Sequence, residues 1–219
     1  MKHRTRSPRR RGATIVLGLA IAAAVTASAW LLLDGPSGGA SRTSPTPPAV
    51  EFAFTLDKMR VNAVPEPWNN ERARRAAQAV RAALTSFYVT GFVDPGAWAG
   101  GEFPEAFAGF DKAAAGRARR DLDALTLGRF ASSLDWVQPD DSHLVVTVLL
   151  DAHNRAVGAV AEVRFVATAH RAAGGTLPIE NRANYLLRPG GGGWTVFSYE
   201  ATTRVGGADP SSGATEATA

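Results

Sequence analysis

An α+β domain carried behind an N-terminal transmembrane helix is the fold class the sequence predicts, and three observations carry it. Residues 13–33, ATIVLGLAIAAAVTASAWLLL, run 21 positions without a charge. As a helix they span roughly 31 Å, the thickness of a bilayer's hydrocarbon core. Between Asn70 and Gly128 apolar residues recur at helical spacing, and from Ser132 onward the period switches to two. Helices first, then long strands joined by short turns, predict three helices packed on a curved, mainly antiparallel sheet.

Residues 1–12 hold Lys2, Arg4, Arg6, Arg9, Arg10 and Arg11 and no acid. Positive charge ahead of an apolar run keeps the N-terminus in the cytoplasm, so residues 13–33 read as a signal anchor. The expected location is the cell membrane, single-pass, with the C-terminal bulk extracytoplasmic. A cleaved signal peptide is the rival reading, because Ala27-Ser28-Ala29 suits a small-residue cleavage site. Against it, the apolar run already exceeds a usual signal core by Ala29 and continues through Trp30-Leu31-Leu32-Leu33. The tail also accounts for the pI of 9.9. Six of the 24 basic residues lie in it, leaving 18 against 20 acidic residues in the rest. The folded part therefore has no overall basic footprint, and nucleic-acid binding is not expected. The chain has no cysteine, which excludes disulfides, thiolate metal sites and a cysteine nucleophile.

Residues 34–49 form a Gly/Ser/Pro linker, with GPSGGASRTSPTPP at Gly35 to Pro48, and residues 206–219, GGADPSSGATEATA, form a tail of the same character. Neither has enough apolar content to order itself. Residues 50–205 remain as one domain, long enough for a sizeable core.

Within the domain, Val50, Phe52, Phe54 and Leu56 alternate to one side over Val50–Asp57, predicting a strand. It lies on the domain's own core or offers an edge to a partner. Pro65 and Pro67 break the chain. Asn70 is positioned to cap a first helix whose line Ala76, Val80, Ala83, Leu84, Phe87 faces the core, with Gly91 closing it. Asp94-Pro95-Gly96 reads as a turn, and Pro104 opens a short helix, PEAFAGF. Asp111 then caps a third helix with Ala115, Ala118, Leu122 and Leu125 on one face and Gly128 at its end. Arg72, Arg74, Arg75 and Arg81 read as a solvated face. Arg117 and Arg119 have Asp121 and Asp123 four residues on, which suits surface ion pairs better than a phosphate site.

Five strands follow: Ser132–Val137, His143–Leu150, Val157–Arg171, Thr176–Arg188 and Trp194–Val205. Pro139-Asp140-Asp141, Asp151 to Arg155, Ala173-Gly174-Gly175 and Gly190 to Gly193 are the turns between them. On the longest strand Ala161, Val163, Phe165, Ala167 and Ala169 share the core face, while Glu162, Arg164, Thr168 and His170 share the other. On the next, Ile179, Asn181, Ala183, Tyr185 and Leu187 look inward, with Glu180, Arg182 and Asn184 outward.

Phe87-Tyr88, Phe92-Val93-Asp94-Pro95 with Trp98, the run from Asp121 to Gly128 (DLDALTLG), and a last strand opening at Gly193-Trp194 carry a resemblance. They are similar to bacterial extracytoplasmic members of the NTF2-like, cone-shaped fold, from about Asn70 to Val205. Basic tail, single span, tether and such a domain together resemble two membrane-bound groups. One is the mammalian-cell-entry-associated membrane proteins of GC-rich Gram-positive bacteria; the other is the inner-membrane scaffold subunit of type IV secretion machines. Both imply assembly roles.

Catalytic members of the fold, the ketosteroid isomerases and polyketide cyclases, resemble one another in placing a carboxylate or His with a Tyr inside the cone. That chemistry needs a proton acceptor and an oxyanion donor in a dry cavity. Here Tyr88, Asn181 and Tyr185 are the candidate cone-lining polar groups, with no acid/base partner evident. Asp94 and Asp135 read as turn and strand-end residues. His143, His153 and His170 lack metal-ligand spacing, and no P-loop, dinucleotide or G-x-S-x-G fingerprint is present. No catalytic, cofactor or metal site is expected. The expectation is a non-enzymatic accessory protein binding a protein partner of an envelope complex through the outer sheet face, with Glu162, Arg164 and Arg182 as the candidate partner face. The alternatives are a small apolar ligand held in the cone and an isomerase- or cyclase-like enzyme.

Overall fold

The computed structural model describes residues 50–63 and 67–206. The basic tail, the apolar span, the linker and the C-terminal tail beyond Gly206 lie outside them. Among the described residues no helix is long and apolar enough to cross a membrane.

The described chain is α+β. Strands β1 (Thr55–Ala63), β2 (Leu134–Leu150), β3 (Ala156–Arg171), β4 (Thr176–Gly190) and β5 (Gly193–Val205) form one curved sheet in that spatial order. Short turns make β2 through β5 antiparallel, as the sequence predicts. Strand β1 runs parallel to β2, so the sheet is mixed. Parallel pairing requires a crossover, and the helical region between the two strands supplies it.

Helix α1 (Asn70–Tyr88) buries Ala73, Ala76, Ala77, Val80, Leu84, Phe87 and Tyr88. Its cap is Asn69 rather than Asn70: the Asn69 side chain accepts from the Arg72 amide at 2.9 Å, while Asn70 accepts from Trp68 Nε1 at 2.8 Å. Gly91 does not close the helix. The chain continues as one π-helical turn, Val89–Val93, sealed by the Asp94 amide donating to the Val89 carbonyl at 2.8 Å. That turn buries Phe92 and Val93 and stacks the Phe92 ring 5.1 Å from Tyr88; aromatic burial outweighs glycine as a stop signal.

Four further expectations are corrected. Residues 104–109 form successive turns instead of a helix. Ala106, Phe107 and Phe110 still anchor them in the core, and Phe110 pairs with Val196. The expected third helix is split into α2 (Lys112–Ala118) and α3 (Leu122–Leu125). Asp121 at the break accepts from the Tyr199 hydroxyl at 2.7 Å. With the helix broken, Asp121 and Asp123 do not take Arg117 and Arg119. Asp123 instead meets Arg129, and Arg117 lies over the Tyr199 ring, 4.4 Å from its centroid. Finally, Pro139-Asp140-Asp141 is no turn; it lies inside β2, where the register shifts. Pro139 has no N–H to contribute, and a bulge on a stretch of β2 that β1 does not yet flank tolerates it.

The stretch Val50–Phe54 differs as well. Ladder pairing begins only at Thr55, and the residues before it form an arm. Phe54 is buried between α1 and the sheet, and its amide donates to Thr85 Oγ1 rather than to a strand. The arm lies on the domain's own core.

Candidate functional site

Two sets of residues were singled out by the sequence, and the sheet separates them. On the core face, β4 carries Asn181 and Tyr185 inward by its two-residue period, and the end of α1 delivers Tyr88 between them. All three are fully buried. The Tyr88 hydroxyl donates to Asn181 Oδ1 and lies 3.2 Å from the Tyr185 hydroxyl. Asn181 Nδ2 donates to Thr203 Oγ1 at 2.8 Å and to the Ala124 carbonyl at 3.2 Å, tying β4 to β5 and α3.

Aromatic rings close around this trio. Phe54, Phe87, Phe92 and Phe165 all have centroids within 5.3 Å of that of Tyr88. Burial pushes both phenols up, and for Tyr88 the neighbouring Tyr185 adds to it. Both therefore stay protonated at any working pH and act as hydrogen-bond donors, not bases. Their side-chain partners are each other and Asn181; no carboxylate bonds to them among the described residues.

On the outer face, Arg164 of β3 stands directly opposite Arg182 of β4, and Glu162 stands opposite Asn184. Two arginines face to face would repel. Glu180 relieves this, with Oε1 2.8 Å from Arg182 and 3.7 Å from Arg164. The Arg182 guanidinium, foremost, holds the Glu180 carboxyl below the usual range. Arg164 also meets Asp141 at 3.2 Å, and Glu162 meets Arg60 of β1 at 3.0 Å. The network ends at His143, whose Nδ1 is 2.7 Å from Asp57 and whose Nε2 is 2.5 Å from Asp141. Ion pairing thus crosses four strands. It borders an open concavity of about 420 Å³ lined by His143, Glu162, Arg164, Arg182, Asn184 and Thr202.

The sequence did not disclose His143 as part of this network. Asp57 lies 86 residues away, and no local spacing signals the pair. The two carboxylates take opposite nitrogens of the ring, and among the described residues no three His, Cys, Asp or Glu converge to hold an ion. His170 stacks on Trp136 with centroids 3.6 Å apart, and His153 lies 4.0 Å from Asp151. In place of the expected turn, Asp94 accepts from the Gly96 amide and caps a 3-10 helix, Pro95–Gly101, and Asp135 is exposed at the start of β2.

Compared with family models, curated proteins and solved structures, the chain matches none. The functional reading therefore rests on the residues alone.

Proposed function

We propose that this is a membrane-anchored, non-enzymatic accessory protein. Its N-terminus is cytoplasmic, and its extracytoplasmic domain, which resembles the NTF2-like cone, binds a protein partner in an envelope transport or secretion complex. The outer sheet face carries the interaction. The supporting observation is the contrast between the two faces of the sheet. The interior, where a ligand or substrate would sit, is occupied by interlocked aromatic rings around Tyr88, Asn181 and Tyr185. The outer face offers an open concavity whose charged side chains Glu162, Arg164, Arg182 and His143 are already held in place by ion pairs. Pre-ordered polar side chains around an open floor lose little freedom when a partner docks.

The test is co-purification of tagged full-length protein from mildly solubilised native membranes, with its intact mass determined. A recurrent envelope-complex partner is expected, with the span retained. Asn184→Arg places a bulky charge on the concavity floor and should abolish recovery of that partner, whereas Arg81→Glu on the exposed side of α1 should not. Absence of a recurrent partner, or undiminished recovery with Asn184→Arg, would overturn the reading.

A further inference from the structure

Strand β1 is attached to the sheet along one side only among the described residues, and by a parallel ladder. That ladder is interrupted between Leu56 and Lys58, leaving Asp57 as the unpaired residue of a bulge. The Asp57 carboxylate crosses at this break to His143 Nδ1, which is 2.7 Å away. The opposite nitrogen of the same ring is 2.5 Å from Asp141. A side-chain link therefore stands where the backbone link is missing.

A neutral imidazole has one N–H and can donate to one carboxylate; an imidazolium donates to both. With both carboxylates ionised, the Asp57–His143–Asp141 chain is satisfied at both ends only when His143 carries a proton. The charged groups facing His143 have been placed above for β2, β3 and β4. Arg164 is directly opposite it in register and opposes protonation, but its charge is taken up by Asp141 at 3.2 Å and by Glu180. Arg182 lies one strand further and pairs with Glu180. From β1, Arg60 pairs with Glu162 and Lys58 follows the bulge. The bond to Asp57, foremost, raises the His143 pKa above the ordinary histidine value, with Asp141 adding to it and desolvation opposing.

We propose that Asp57, His143 and Asp141 form a protonation-controlled clasp that fastens edge strand β1 to the sheet at its bulge, closed when His143 is charged and released as the solution becomes alkaline. The sign follows from linkage. A folded-state pKa above the unfolded one gives a contribution that is complete below the unfolded pKa and lost as pH rises through the folded one. The proposal does not depend on the outer face having a partner. Because His143 also lines the concavity, the same proton alters the charge presented there.

Hydrogen exchange of the full-length protein in mild detergent tests it, with protection factors corrected for intrinsic exchange at each pH. Between about pH 6 and about pH 9 the wild-type amides around Thr55–Arg60 should lose roughly threefold in protection, the scale for an exposed charged pair. Peptides of β4 should not change. His143→Arg is charged throughout and should keep β1 protected at both pH values; His143→Gln should show the lower protection at both. His143 is 38% exposed, so both substitutions are accommodated without repacking. Wild-type protection independent of pH, or a pH response that survives in His143→Gln, would overturn the clasp.

Discussion

At the scale of single residues, buried polar groups and turn carboxylates carry the sharpest expectations. Asn181 is fully buried, bonded to Tyr88, Thr203 and Ala124. Asn181→Leu strips partners from groups that water cannot reach and should cost about 2–3 kcal/mol in urea unfolding of the full-length protein. Adding Tyr88→Phe should cost less than the sum of the two, because one orphaned hydroxyl is then gone. Asp151 acts differently. It accepts from the amides of His153 and Arg155 and from the Arg155 side chain, and the Arg155 amide foremost pulls its carboxyl down to about 2. A depressed carboxyl stabilises above its unfolded pKa and ceases to do so as pH falls through the folded one. Wild-type protein should therefore lose more thermal stability than Asp151→Asn on acidification towards about pH 2. Inward-facing Asn181 and Tyr185 were legible in the sequence from strand alternation; Tyr88 was a candidate beside them, but it lies off the apolar line Ala76, Val80, Ala83, Leu84, Phe87 that oriented the helix. Their mutual bonding was not legible, because it joins elements about 90 residues apart in the chain.

At the scale of elements, local signals held where nothing competed with them and yielded where packing did. Residues 110–128 show both. Asp111 caps α2 through the Ala114 amide at 2.8 Å, as its side chain suits it to do. The helix then breaks, and at the break Asp121 accepts from the Tyr199 hydroxyl 78 residues away. Gly128 closes the region at a φ of +50°, and a Cβ there would lie 1.9 Å from Asp123 Oδ1 and 2.8 Å from Asp123 Cα. Gly128→Ala should therefore destabilise by about 1–3 kcal/mol in thermal unfolding, from left-handed strain together with the displaced turn. At the other end of the helical region, Asn69→Ala should cost about 1 kcal/mol by loss of the α1 cap. Pro139 teaches the same lesson for strands. Read locally it marks a turn; in the sheet it marks a bulge within β2, because pairing with β3 on both sides of it carries the strand through.

At the scale of the whole molecule, the arm Val50–Phe54 is held on the domain's core ahead of β1. Phe54 is 1% exposed, with the Phe52 ring 5.0 Å away and the Tyr88 ring 4.8 Å away. Phe54→Ala should cost about 3–5 kcal/mol in chemical denaturation, a core-sized loss from a residue outside any regular element. Composition, charge placement and periodicity were sufficient for the α+β class, a helical region ahead of a long-stranded sheet, and the faces on which Asn181, Tyr185, Glu162, Arg164 and Arg182 lie. Those properties depend on near neighbours, since a strand's two-residue period and a helix's 3.6-residue period are local geometry. Tertiary structure alone decided that β1 is parallel, that aromatic rings fill the interior around Tyr88, and that Asp57 meets His143 across a bulge. Each of these is a pairing of distant segments, chosen by which burial and hydrogen bonding the assembled sheet makes available.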